Sequence, residues 1–154
     1  MDSLTPEKRS WNMSRIKNRD TKPELLVRSL LHRKGYRFRL HRKDLPGKPD
    51  IILPRFKTVI FVHGCFWHRH EGCRYAYNPK SRADFWQKKF SGNVVRDQAV
   101  QAALLDLGWK VYVIWECETK KMELLERKIE QIIKGLKSEN SDVFRSVEHN
   151  TMAP

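Results

Sequence analysis

Pro49-Asp50-Ile51-Ile52-Leu53-Pro54-Arg55-Phe56-Lys57-Thr58-Val59-Ile60-Phe61-Val62-His63-Gly64-Cys65 is the stretch on which the fold turns. Residues 50–53 read as one strand. After Pro54 and a turn, Thr58 to Val62 is a nearly continuous apolar run, the pattern of a strand buried on both faces. If the two pair as neighbours, Asp50 at the opening of the first and His63 at the close of the second reach one edge of a sheet.

Toward the N-terminus, Leu45-Pro46-Gly47-Lys48-Pro49 is a loop. Tyr36-Arg37-Phe38-Arg39-Leu40 alternates apolar and basic residues, as a half-buried strand does. Thr21-Lys22-Pro23-Glu24 reads as a helix start, with Thr21 as N-cap, proline in the first turn and Glu24 closing a capping box. Leu25, Leu26, Leu30 and Leu31 form its expected apolar face, and Gly35 ends it. Residues 7–19 are polar and basic, a short helix or ordered arm with Met13 and Ile16 interleaved.

Toward the C-terminus, residues 64–80 are rich in Cys, His, aromatics and Gly, and are expected to be irregular. Helical patterns follow at 83–90 and 94–107, the second presenting Val95, Ala99, Ala102, Ala103 and Leu107. Val111 to Trp115 is another buried strand, and 120–136 is an amphipathic helix. The polar remainder, 137–154, reads as a flexible tail. There is no internal repeat. The order α-β-β-β-α-β-α specifies an α/β fold, one mixed central sheet flanked by helices.

The chain of 154 residues carries 31 Lys/Arg against 18 Asp/Glu, a net charge of +13. Residues 1–60 hold 16 of those cations and 6 of those anions, so +10 of the surplus lies there. Such a field suits a polyanion, and phosphate contacts by these side chains release counterions. No apolar run is long enough to span a bilayer. Met1-Asp2-Ser3-Leu4-Thr5-Pro6 has no basic region followed by an apolar stretch, so no signal peptide is expected and the location is read as cytoplasmic. Three cysteines, an odd number, argue against a disulfide framework and leave metal ligation or inert burial.

Three constellations can carry chemistry. Cys65-x4-His70-x2-Cys73, with Cys117 at the end of the last strand, supplies the three thiolates and one imidazole of a closed tetrahedral Zn²⁺ shell, a structural role. The other reading is small buried residues near a chance histidine. Asp50 can hold Mg²⁺ with a backbone carbonyl and waters, and His63 and His68 can carry protons. On spacing alone, Asp50 equally suits a turn cap and His63 a satisfied core residue. The aromatics Phe66-Trp67 and Phe85-Trp86 can stack on bases or pack in the core; Phe85 is expected in the core and the other three exposed. Glu24 is explained locally as a capping residue, and Asp97 as a solvated acid or a carboxylate orienting a histidine.

In combination these residues resemble the very-short-patch-repair (Vsr) endonucleases. The resemblance runs over residues 12–118, through Asn12-Met13-Ser14-Arg15-Ile16, Arg19 to Glu24, Asp44 to Ile51, Val59 to His68, Phe85-Trp86, Asn93, Arg96-Asp97, Leu107-Gly108-Trp109 and Trp115-Glu116-Cys117. It implies a restriction-endonuclease-like fold with a structural zinc site, the nuclease domain spanning 21–136 behind a basic DNA-contacting arm at 1–20. In the related PD…(D/E)xK nucleases an acidic-x-lysine element stands where this chain has Phe61-Val62-His63, a departure the Vsr family shares.

By that resemblance, Asp50 and the Val62 carbonyl would bind catalytic Mg²⁺. His63, His68, Glu24 and Asp97 would complete the active site, and Cys65, His70, Cys73 and Cys117 would bind structural Zn²⁺. Phe66, Trp67 and Trp86 would enter the DNA beside a mispair, with Met13 wedged from the other side; Arg15, Lys17 and Arg19 suit phosphate contacts. The implied activity is a nick 5′ to the thymine of a T·G mispair left by deaminated 5-methylcytosine. The implied setting is a bacterial, nucleoid-associated monomer acting on double-stranded DNA, with mismatch-repair proteins of the MutL and MutS type as partners. The alternatives are a nickase of this fold with another DNA substrate and a non-catalytic, zinc-stabilised DNA-binding protein.

Overall fold

Ile60 and its neighbours Val59 and Phe61 can all be buried only if both faces of their strand are covered, because successive side chains point opposite ways. The computed structural model, which describes residue 7 and residues 20–151 with side chains through 137, has this arrangement. Helix α1 (Lys22–Arg33) leads to the short strand β1 (Arg39–Leu40), then β2 (Ile51–Leu53), a 3₁₀ turn at Pro54–Phe56 and β3 (Thr58–His63). Helix α2 (Ala83–Asp106) returns the chain to β4 (Lys110–Trp115), and a second 3₁₀ turn at Glu116–Thr119 precedes α3 (Met122–Thr151).

The sheet order is β1-β2-β3-β4. β1 and β2 are antiparallel, as are β2 and β3, whereas β3 and β4 run parallel with Ile60 opposite Tyr112 and His63 opposite Trp115. A parallel pair needs a crossover, and α2 supplies it. Ile51, Leu53, Ile60 and Ile114 pack on one face against Val27, Leu30 and Leu31 of α1 and Leu125, Ile129, Ile132 and Leu136 of α3. Ile52, Val59 and Phe61 pack on the other face against Leu104 and Val100 of α2. The mixed sheet between helices is as the sequence predicts.

Several boundaries and faces differ. Only residues 39–40 of the predicted 36–40 strand join the sheet. The two helices expected at 83–90 and 94–107 are one, because Gly92 falls at an exposed helical position where a missing side chain is tolerated. Its buried residues are Phe90 and Leu104; Val95 and Leu107 are 65% and 54% exposed. On α1, Val27 is buried and Leu25 is half exposed, so the inward face follows i, i+3 and i+7 from Glu24 rather than the run of leucines. The last helix continues to Thr151, beyond the predicted end at 136, through a segment free of proline and glycine.

The loop before β2 lies directly on α2. Gly47 has φ +72, and a Cβ there would run into the Val100 side chain. The absence of a side chain thus lets the Leu45–Pro49 loop deliver Asp50 to the sheet edge. Ile60→Ala, which opens a void between β3 and both helices of its face, is expected to lower the unfolding free energy by roughly 2–5 kcal/mol in urea titrations.

Candidate active site and metal centre

In open α/β sheets, ligands collect at the carboxyl ends of parallel strands. Here those ends are His63 of β3 and Trp115 of β4, side by side in the register. Asp50, just before β2, reaches the same edge because β2 runs antiparallel to β3: its Oδ2 accepts the Val62 N–H at 2.7 Å. A cleft of about 1120 Å³ opens there, lined among others by Glu24, Asp50, Val62, His63, His68 and Asp97. The six residues assigned to catalysis and Mg²⁺ binding therefore converge on one cavity. Lys22, Lys43, Lys48 and Arg96 line it as well, cations available to phosphate groups.

Burial pushes the Asp50 carboxyl up to about 7, against the Val62 N–H, which favours its charged form; the neighbouring Glu24 charge adds to the rise and Arg28 opposes it. Glu24 itself is only 2% exposed. A carboxylate withdrawn from water without a paired side-chain cation, as Asp50 is among the described interactions, fits a hard divalent cation with oxygen ligands.

The histidines differ in environment. His63 and His68 stack with centroids 3.9 Å apart and planes 7° apart. Burial, with the His68 charge adding, lowers His63 to about 3, so it is neutral near pH 7. His68 Nδ1 lies 2.7 Å from Asp97 Oδ2, leaving Nε2 as the nitrogen available for proton transfer. Asp97 thus orients a histidine rather than standing as a solvated acid.

Beyond β3 the chain turns at Gly64 and folds back, His70 N–H donating to the Cys65 carbonyl. This brings Cys65, His70, Cys73 and Cys117 together, one ligand atom of each lying within 4.8 Å of the others. His70 Nδ1 is 3.4 Å from Cys117 Sγ and 3.7 Å from Cys65 Sγ. Tetrahedral Zn²⁺, with Zn–S near 2.3 Å and Zn–N near 2.0 Å, requires S···N separations of about 3.5 Å. Burial pushes the Cys65 thiol up to about 12, with the adjacent Cys117 thiol adding to the rise, and metal binding would offset this by displacing the protons. The donor set fits a Cys3His structural zinc. His70 also stacks on Trp115, centroids 4.3 Å apart, which fixes its ring.

The same loop carries the aromatics. Phe66 is the hub, with ring centroids of Trp67, Tyr77, Trp86 and Phe90 between 5.0 and 5.6 Å away. Phe66, Trp67 and Trp86 are half-buried. Phe85, expected in the core, is 46% exposed in the first turn of α2. Asn93 of α2 donates to the Trp67 carbonyl at 2.9 Å and anchors the loop from below.

A sequence profile described as DNA mismatch endonuclease Vsr matches residues 1–74. The type II nicking enzyme V.XorIIP of Xanthomonas oryzae is 52% identical over 132 residues, covering 86% of this chain and 96% of its own length. The chain belongs to the Vsr family. The DNA mismatch endonuclease Vsr of Escherichia coli is 43% identical over 117 residues, 76% of this chain and 74% of its own. A second nicking enzyme, V.NmeAIP of Neisseria meningitidis, is 42% identical over 136 residues, or 88% and 96%. This Vsr-family chain is accordingly a DNA endonuclease, a hydrolase with DNA as its substrate.

Sequence reasoning about this Vsr chain missed a second charged cluster. Thr21 caps α1 as expected, accepting the Glu24 N–H, but Glu24 does not close the box on Thr21. Its Oε2 accepts instead from the Asp20 N–H at 3.0 Å and from Arg28 Nη2 at 3.1 Å. Arg28 also pairs with Asp20 at 2.8 Å and meets His41 Nε2 at 3.1 Å. The i,i+4 spacing of Glu24 and Arg28 was the available signal. Met13, Arg15, Lys17 and Arg19 lie outside the described residues.

Two outcomes are expected. Purified protein should contain close to one equivalent of zinc by elemental analysis, and Cys117→Ser should lose both the metal and several degrees of Tm. Arg28→Met, which leaves Glu24 buried without its cation, should cost roughly 3–5 kcal/mol in denaturant unfolding.

Proposed function

We propose that this chain cuts one strand of duplex DNA 5′ to the thymine of a T·G mispair, initiating very-short-patch repair, by Mg²⁺-dependent hydrolysis. The observation that carries the reading is the meeting, in one cleft, of Asp50, the stacked His63–His68 pair and Asp97, with Phe66, Trp67 and Trp86 beside it. Family membership and the activity for which the Escherichia coli relative is named, mismatch endonuclease, support it.

Asp50 and the Val62 carbonyl would hold Mg²⁺, which when bound polarises the phosphate and lowers the pKa of an attacking water. His63, at the end of β3 and stacked on His68, would accept the proton lost as the water oxygen bonds to phosphorus. His68, its Nδ1 held by Asp97, would contact the phosphate through Nε2 and donate a proton to the departing oxygen as the P–O bond breaks. Glu24 adds negative charge on the Asp50 side, and the lysines of the cleft hold the flanking phosphates.

The aromatics account for the choice of substrate. Unstacking a base step costs a few kcal/mol, least at a mispair, so a wedge prefers DNA already weakened there. One nick needs one active site, which suits a monomer.

The test is cleavage of matched duplexes, one containing a single T·G pair and one fully paired, each strand labelled separately with Mg²⁺ present. A nick on the thymine strand of the mispaired duplex alone is expected. His68→Ala should lower the single-turnover rate by about 10²- to 10⁴-fold, and Asp50→Ala should abolish cutting while binding persists. Equal cutting of both duplexes would instead favour a nickase without mismatch preference, a reading that the nicking enzymes among the relatives keep in play. Asp50→Ala cutting like its parent would remove Asp50 from the mechanism.

A further inference from the structure

Tyr77 is the most exposed ring of the aromatic cluster, at 62%, yet it is held in place. Its ring leans on Phe66 with centroids 5.0 Å apart and planes 36° apart. Its backbone is gripped by Arg69, whose guanidinium donates to the carbonyls of Phe66, Ala76 and Tyr77 and to Asn78 Oδ1 at 2.8–3.3 Å. The same guanidinium lies 3.9 Å over the Phe90 ring of α2. Four hydrogen bonds and a ring contact from one planar guanidinium make a rigid clamp, one a lysine cannot reproduce.

From this we infer that Tyr77 is a further DNA-contacting residue, stacking on a nucleobase next to the one met by Phe66 and Trp67, and that Arg69 is the residue that positions it. An aromatic face held rigidly with one side bare is suited to a flat apolar partner, and base stacking on such faces is sequence-tolerant. Charge identifies the partner: residues 69–89 carry six Lys/Arg against two Asp/Glu, so the face sits in a cationic surround that favours nucleic acid over an apolar protein surface. Arg82 over Phe85 and Lys89 near Trp67 place two of these cations against the same rings. The site of contact deepens the proposed function and rests on its DNA-wedge reading; its test does not depend on mismatch preference.

The experiment measures affinity by fluorescence anisotropy without Mg²⁺, for whichever duplex, T·G or fully paired, the parent binds more tightly. Tyr77→Ala is expected to weaken binding roughly 5- to 100-fold, the range of one lost base–aromatic stack. Tyr77→Phe should restore it, and Tyr77→Leu should not. 2-Aminopurine placed beside the mispair should brighten with the parent and less with Tyr77→Ala, a readout that a purely structural role leaves unmoved. Arg69→Lys should mimic Tyr77→Ala. Parental affinity in Tyr77→Ala overturns the inference, as does equal loss in the Ala and Phe variants, which would indicate the hydroxyl. Loss of affinity accompanied by loss of zinc or of Tm also overturns it, because Tyr77 would then only support the loop. A parent without T·G preference would count against the proposed specificity and leave this comparison intact.

Discussion

β3 is the constraint from which the rest follows. Its residues alternate between two separate cores, Ile60 facing α1 and α3 while Val59 and Phe61 face α2. A one-residue slip would exchange every side chain between faces that differ in shape, so its register is strongly specified. Asp50 meets the Val62 N–H only in that register, and His63 emerges beside Trp115 only if the parallel pairing with β4 holds. The active edge is thus a consequence of packing the middle strand.

That edge gathers more negative charge than its burial tolerates, and the structure handles the excess in two ways. On the α1 side, Arg28 gives Glu24 and Asp20 a shared counter-ion, and His41 completes the group. Asp50 has no such direct partner cation among the described interactions and is pushed up to about 7 by burial. One carboxylate is therefore satisfied by the protein and the other is left receptive to a cation from solution. The third carboxylate of the site, Asp97, is engaged by His68 instead.

The sequence made the middle of the sheet legible because doubly buried strands leave an unbroken apolar run, and it made the Cys3His cluster legible because thiols are scarce. It misread faces wherever apolar residues outnumber buried positions. Leu25 and Val95 are exposed because each helix buries a narrow stripe, and composition alone does not say which leucine or valine lies in it. The charged cluster around Arg28 was hidden for another reason: Glu24 had a sufficient local explanation as a cap, so its i,i+4 partner Arg28 went unread, and His41 joins them only through the fold. Arg69 was equally silent, since an arginine donating to three carbonyls resembles any surface cation in the chain.

Covalent economy links recognition to chemistry. His63 closes β3 in the cleft, and Phe66 and Trp67 follow within four residues, on a loop held by Asn93 from α2, by Arg69 across its far arm and by the Cys3His cluster at its base. With three independent anchors, the loop has little freedom to move its aromatics relative to the histidine. Phe66 is three residues from His63, and three residues span at most ~11 Å even fully extended. On the proposed reading, with Phe66 and Trp67 as the wedge and His63 at the scissile phosphate, the distance between displaced base and phosphate is set by the chain itself, so that placing the wedge would place the bond.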